Sequence, residues 1–387
     1  MKSLLLYLIF TALCIQLSGQ GTIIEKTLEQ ENATRNYSLY LPAEYDAQQA
    51  YPLVINYHGF GGTPEQQMAI SNMNAVADTA QFIVAYPLAL EVFNPVLNVR
   101  GAGWNVVQFL DSTYSDTEFT LNMIAAIRQD HAIDSMRIHA TGWSFGSEMA
   151  LSLACEAPNV IASVAGVAES MADFVRLTCD PQRPYSLMTI HGTADNLIPF
   201  EGGAGFWSAA PETPAYFAQL NGCDETPTSI ELENINDTDN STVTLFEYNN
   251  CEADTEVLFY QINGGGHAWP GGLGSGVVNQ DINGSTEIWD FFQRNPMPLF
   301  SNTKEIIKEH TSFSNIHPTV VRDELQLQSN QLTPTKYTLF DLQGKRLQEG
   351  YFTGYQRLSL TNLKSGIYIL TCTWNGQIES HRFMKRD

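Results

Sequence analysis

Residues Gly142-Trp143-Ser144-Phe145-Gly146 form a G-x-S-x-G pentapeptide, and its flanks give it meaning. Before it, Met136 to Ala140 is an apolar run of strand length. After it, Phe145 to Cys155 carries a helical pattern. A serine on a sharp strand-to-helix turn has an exposed hydroxyl, and the next backbone N–H points toward any carbonyl it meets. Glycines on both sides let a chain turn that tightly. The pentapeptide alone is a weak signal; the strand before it and the helix after it are what constrain the fold.

A serine hydroxyl is a poor nucleophile until a base takes its proton, and the base needs an acid to orient it. Both partners lie downstream. Tyr185 to Ile190 reads as a buried strand and runs into His191-Gly192-Thr193-Ala194-Asp195, which places Asp195 on the loop at a strand's C-terminal end. Val257 to Ile262 alternates as a strand and ends in Asn263-Gly264-Gly265-Gly266-His267. A lone histidine is more often a surface or satisfied core residue. His267 differs from the other seven in its loop placement and in closing the chain order Ser, Asp, His. Upstream, the apolar strand Tyr51 to Tyr57 precedes His58-Gly59-Phe60-Gly61-Gly62. Such a loop supplies one backbone N–H of an oxyanion hole, here that of Phe60, and the residue after the nucleophile, Phe145, supplies the other. Each donor aimed at a developing oxyanion is worth roughly 3 kcal/mol.

The segments HGFGG, GWSFG, HGTADNLIPF and GGGHAWPGG, in this order, resemble the secreted polyhydroxybutyrate depolymerase / feruloyl-esterase-like family of α/β-hydrolases. Arg35 to Pro42 and Asn221-Gly222-Cys223 extend the likeness over roughly residues 22 to 296. The resemblance implies an α/β-hydrolase fold with a mostly parallel central sheet and a catalytic set of Ser144, Asp195 and His267. It leaves the ester open. Phe145, Ser147 and Glu148 depart from the small residues the family usually carries after its nucleophile, which bears on substrate size.

The net charge of −22 argues against phosphate backbones and anionic membrane surfaces as partners. Much of the acidity falls between Cys223 and Glu256, which reads as a solvated, loop-rich insert. Asp237 to Ser241 echoes a calcium loop only faintly and reads as surface, so neither a metal nor an organic cofactor is expected. Residues 1–20 have the pattern of a secretory signal: Lys2, an apolar Leu4 to Ile15, then Ser18-Gly19-Gln20. No other run approaches a membrane span. Export makes Cys155, Cys179, Cys223 and Cys251 candidates for disulfides. Three pairings are possible, and the nearest-neighbour one is expected. Cys372 is left over as a small buried hydrophobe.

Strand and helix patterns alternate from Tyr37 to about Phe292, with amphipathic helices over Pro64 to Ala80 and Asp116 to Ala132 and a final helix over Glu287 to Arg294. This assigns 21–296 to the catalytic domain, 297–311 to a polar linker and 312–387 to a small β-sandwich. Strands are expected at 325–327, 337–342, 355–360, 367–374 and 377–383, with turns at Gln343-Gly344 and Asn375-Gly376. The tail runs KYTLFDLQGKRLQEG, LKSGIYIL and RFMKRD, and resembles the C-terminal sorting domain of the type IX secretion system. The resemblance implies passage through the periplasm to the surface or medium, with that machinery as partner.

The expected activity is that of a secreted serine esterase on polyhydroxyalkanoate, feruloyl or acetyl polysaccharide esters. A serine peptidase of the same fold would need recognition for a peptide that no segment supplies. A non-catalytic carbohydrate-binding protein would not need three chemically matched residues. Trp104, Trp143 and Trp269 are candidates for the substrate cleft, with Phe206-Trp207 beside them; about half of such aromatics are ordinary packing.

Overall fold

The apolar runs become one ten-stranded sheet. The computed structural model describes residues 20–30, 33–94, 98–106, 114–176, 179–203, 207–298, 314–317, 320–329, 333–341, 345–374 and 377–386. The signal segment through residue 19, linker residues 299–311, both tail turns and Phe206 lie outside them. The described residues divide into one unit through Pro298 and a second from Ser314 onward.

In the first unit the elements run β1 (Thr22–Gln30), β2 (Ala33–Leu41), β3 (Tyr51–Tyr57), α1 (Pro64–Ser71), α2 (Met73–Ala80), β4 (Ile83–Pro87), β5 (Glu91–Asn94), β6 (Val99–Ala102), α3 (Asp116–Asp130), β7 (Ile133–Trp143), α4 (Phe145–Glu156), β8 (Val164–Val167), α5 (Asp173–Arg176) and β9 (Leu187–Gly192). They continue with α6 (Glu212–Leu220), β10 (Thr228–Glu231), β11 (Thr242–Tyr248), β12 (Val257–Asn263), β13 (His267–Ala268), β14 (Gly274–Ser275) and α7 (Gly284–Arg294). The sheet order is β1-β2-β4-β3-β7-β8-β9-β12-β11-β10. From β4 through β12 every pairing is parallel; at both margins the pairings are antiparallel. The central sheet is thus mostly parallel, as expected.

Parallel strands covered on both faces read as continuous apolar runs, and all seven residues of β3 are buried. Alternate residues serve opposite faces. Leu53 and Ile55 join a core with α3 and α4, while Val54 joins one with α2 and α7. Arg35 of β2 is fully buried, pairs with Asp116 at the start of α3 at 2.5 Å, and lies 3.9 Å from the centre of the Phe119 ring. Ser115 caps α3 by accepting from the Glu118 N–H.

Two expectations need correction. Pro64 to Ala80 is two helices, because Asn72 adopts a left-handed conformation (φ 48°) and its N–H closes α1 on Met68. Asparagine tolerates that conformation, and the chain turns there. The acidic insert is not merely loop. It supplies β10 and β11, which extend the main sheet; β10 is exposed throughout, so its sequence carries no apolar alternation. Cys155–Cys179 and Cys223–Cys251 are bonded, as expected, and the second ties the turn after α6 to the end of β11. Each closes a loop worth roughly 3 kcal/mol.

The second unit contains β15 (Ser314–His317), β16 (Val320–Val321), β17 (Glu324–Ser329), β18 (Thr335–Asp341), β19 (Arg346–Phe352), β20 (Tyr355–Ser359), β21 (Gly366–Trp374) and β22 (Gln377–Lys385). Its sheets, β15-β17-β20 and β16-β22-β21-β18-β19, share a core of Leu325, Leu327, Leu339, Leu358, Leu370, Cys372 and Phe383. Sequence patterning missed β15, β16 and β19; the first two are short, and β19 is an edge strand with mostly exposed residues.

Candidate active site

β7 ends at Trp143 and α4 begins at Phe145, so Ser144 alone makes the turn. It does so with φ 55° and ψ −129°, a conformation that disfavours any side chain. Its N–H bonds to the Val167 carbonyl at the end of β8 (2.9 Å), and its carbonyl accepts from Ser147 N–H (2.7 Å). The flanking glycines serve a different purpose from the one their turn-forming character suggested. Neither carries the positive φ. A Cβ on Gly142 would lie 2.2 Å from the Gly146 carbonyl oxygen. The residues pack too closely for any side chain.

The loop after β3 presses against this turn. A Cβ on Gly59 would stand 3.2 Å from that of Ser144. Trp104 donates its indole N–H to the His58 carbonyl (2.7 Å), and the His58 ring receives the Ala89 N–H on Nε2 (3.1 Å) while its Nδ1 bonds the Gly59 carbonyl (2.7 Å). Burial lowers the His58 pKa to about 4, so the ring is neutral and acts as a brace. Gly61 N–H donates to the Ala102 carbonyl (2.7 Å), and Gly62 N–H closes the loop's turn on the Gly59 carbonyl (3.0 Å). Phe145 opens α4, so its N–H has no acceptor within the helix. The bulky Phe145 ring rests 6.1 Å from that of Phe60.

His267 and Asp195 are brought together. Nδ1 of His267 lies 2.7 Å from Oδ2 of Asp195, with both side chains buried. The glycines of the two motifs make this possible. A Cβ on Gly192 would collide with the Gly265 carbonyl at 2.3 Å, and Ala194 N–H bonds that same oxygen at 2.8 Å. The loops after β9 and β12 are thus joined backbone to backbone. Pairing of β13 with β14 then fixes His267 opposite Ser275. Asp195 Oδ1 accepts from the N–H groups of Leu197 (2.8 Å) and Ile198 (2.9 Å). Burial opposes its ionisation, but hydrogen bonds from His191 and His267 hold the carboxyl well below the usual range. His191 was not singled out as a site residue. Its Nε2 lies 3.5 Å from Asp195 Oδ2 and 3.0 Å from the Ile198 carbonyl.

The aromatic candidates separate. Trp143 is half-buried, with its ring centre 4.9 Å from that of His267. Trp104 and Trp269 are fully buried, which corrects their assignment to the cleft. Trp104 braces the Gly59 loop, and Trp269 donates to Ser285 Oγ (3.1 Å). Their neighbours are core, and position near a motif does not distinguish packing from lining. Among the described residues no group of three or more His, Cys, Asp or Glu is arranged to hold a metal, and no helix is long and apolar enough to cross a membrane.

Residues 35–174 match the esterase PHB depolymerase family, and residues 315–386 match a secretion system C-terminal sorting domain. Feruloyl esterase B of Piromyces equi is 27% identical over 274 residues, which is 68% of this chain and 46% of that protein. The putative esterase NocK of Nocardia uniformis subsp. tsuyamanensis is 28% identical over 262 residues, covering 62% and 72% of the two chains. Among solved structures, an acetyl xylan esterase from Aspergillus awamori is 17% identical with a TM-score of 0.47, covering 71% of this chain and all of that one. The chain thus spans less than half of the feruloyl esterase and most of the others.

Proposed function

We propose that the chain is a secreted or cell-surface carboxylic ester hydrolase, in line with its matches to the esterase PHB depolymerase family, to feruloyl esterases and to a sorting domain, and that Ser144, His267 and Asp195 form its catalytic triad. Ser144 Oγ attacks the ester carbonyl while His267 Nε2 takes its proton. Asp195 holds the Nδ1–H and stabilises the imidazolium that forms. The N–H groups of Phe60 and Phe145 receive the oxyanion. His267 returns the proton to the leaving alcohol, and water, deprotonated in turn by His267, releases the acid from the acyl-enzyme. The supporting observation is the 2.7 Å contact from His267 Nδ1 to Asp195, which leaves Nε2 as the ring nitrogen for proton transfer.

The substrate in this proposal is a hydroxycinnamoyl or acetyl ester on a polysaccharide, in line with the names of the relatives. Residues 1–20 would be removed on export, 21–296 carry the chemistry, 297–311 link, and 312–387 address the chain to type IX secretion. The test is a panel of methyl ferulate, feruloylated arabinoxylan, acetylxylan and polyhydroxybutyrate, with an organophosphonate label. Turnover of at least one, abolished together with labelling in Ser144→Ala, is expected. Full labelling of Ser144→Ala at another serine would reject the triad.

A further inference from the structure

The unusual residues after the nucleophile lead to a second feature of the site. Glu148, in the first turn of α4, is completely buried. Its Oε2 accepts from the Ala172 N–H (2.8 Å), and its Oε1 is buried with no partner among the described residues. Glu169, two residues past the end of β8, is also buried. Its backbone carbonyl accepts from Ser147 Oγ (2.6 Å), and its Oε1 accepts from the indole N–H of Trp207 (3.1 Å). Trp207 is half-buried, and its backbone bridges Ala172 and Gly203. Val167, at the start of this segment, already holds the N–H of Ser144. A continuous set of bonds therefore runs from Ser144 through β8 and Glu169 to one partly exposed indole.

We propose that Glu169 is a positioning residue for specificity: its buried carboxyl holds the Trp207 indole past the end of β8, as the wall that receives an aromatic acyl group beside Ser144. The inference rests on the assignment of Ser144 as nucleophile. Two buried carboxyls cannot both ionise without a cation. The charged groups facing Glu169 are Glu148 from α4 and Asp195 from the loop after β9, both acidic. Arg176 of α5 donates to Ser208 Oγ next to Trp207, and it is already engaged by Asp173 and Glu212. Burial, opposed by the Trp207 bond and reinforced by Asp195, pushes the Glu169 carboxyl up to about 8; burial and then Glu169 push Glu148 well above the carboxylate range. Ionisation of Glu169 above about pH 8 leaves both carboxylate oxygens as acceptors, so the bond from the Trp207 N–H is kept.

The experiment measures kcat and KM for methyl ferulate and p-nitrophenyl acetate between about pH 6 and pH 9.5. Trp207→Ala should raise KM for ferulate about tenfold, the scale of one lost aromatic contact, and leave acetate within about twofold. Wild type should keep a low ferulate KM across pH 8, since the ionised carboxylate still accepts from the indole. Glu169→Gln also accepts from Trp207 and should keep the low KM, whereas Glu169→Ala, which has no acceptor, should raise it toward that of Trp207→Ala with acetate little changed. Equal losses on both esters in Trp207→Ala, or a low ferulate KM kept in Glu169→Ala, would overturn the proposal. A wild type that hydrolyses acetate but not ferulate overturns it while the Ser144 chemistry stands. A wild type inactive on both esters rejects the esterase assignment itself.

Discussion

A Cβ on Gly146 would sit 2.2 Å from the carbonyl oxygen of Tyr57, so the first turn of α4 and the last residue of β3 touch backbone to backbone. This contact sets the Gly59-Phe60 loop against Ser144. Gly146→Ala forces the two elements apart, and overpacking of this kind costs roughly 1–3 kcal/mol. The expected result is a lower melting temperature together with at least a tenfold fall in kcat, if the N–H groups of Phe60 and Phe145 are the oxyanion donors proposed above. Unchanged kcat in a folded Gly146→Ala protein would separate the loop from the chemistry.

The order of the motifs was legible because each sits where an apolar strand stops, and strand periodicity is a local property. The close approach of Gly192 to Gly265 was not legible, since the two glycines are far apart in sequence and only their contact explains them. Burial of Trp104 and Trp269 was hidden for a similar reason: an indole that braces a loop and one that lines a cleft have the same sequence. Glu148 stood out only as a departure after the nucleophile, and Glu169 escaped notice, because a carboxylate reads as surface and only the fold shows both buried. The edge strands β10 and β19 failed the periodicity test because an exposed edge needs no apolar face.

Ser144 pays for its position with a φ of 55°. A side chain in that region costs about 1–3 kcal/mol, and glycine is free of most of it. Ser144→Gly should therefore unfold at a higher temperature than wild type while losing turnover. Chemical denaturation of both proteins, with the midpoint and slope compared, checks this. A less stable Ser144→Gly protein would mean that the hydroxyl contributes more than the turn costs.

Asp195 accepts the His267 proton at 2.7 Å and is held ionised by His191 and His267 against the effect of burial. Asp195→Asn keeps the shape but presents an amide to Nδ1, which favours the wrong tautomer. By the scale known for such changes, kcat should fall about 10⁴-fold with little change in KM. A loss of only a few-fold would assign Asp195 to structure rather than to orienting His267.

Acid should destabilise the first unit through its buried neutral histidines. Burial lowers His58 to about 4 and His139 to about 3, while an unfolded histidine titrates near 6.5. The folded pKa lies below the unfolded one, so the unfolded chain binds more protons in the interval between them. Stability is full above about pH 6.5 and is lost as pH falls toward about 4, by on the order of 3 kcal/mol for each group. His139 stacks on Phe292 with ring centres 4.6 Å apart and bonds Ser163 Oγ at 2.8 Å. His139→Gln should lower stability at pH 7 and flatten its slope between about pH 6.5 and 4. Denaturation midpoints at several pH values measure both, and an unchanged slope would remove His139 from the account.

The tail has its own core, built from Leu325, Leu339, Leu370 and Phe383, and Ser144, Asp195 and His267 all lie in the first unit. The first unit has its own two cores, and α7 completes the one that contains Phe291 and Phe292. A chain ending at Pro298 should therefore fold and turn over a soluble ester at the full-length rate. Its fate in the cell should differ, because the match to a secretion system sorting domain covers residues 315–386. The truncated chain should accumulate in the periplasm, while the full chain reaches the surface or medium. Fractionation with an esterase assay measures the distribution, and the C-terminal mass of the exported protein shows whether the tail is removed. Normal export of the truncated chain would reject the sorting role. Full export with activity lost on insoluble polymer alone would identify the tail as a binding module.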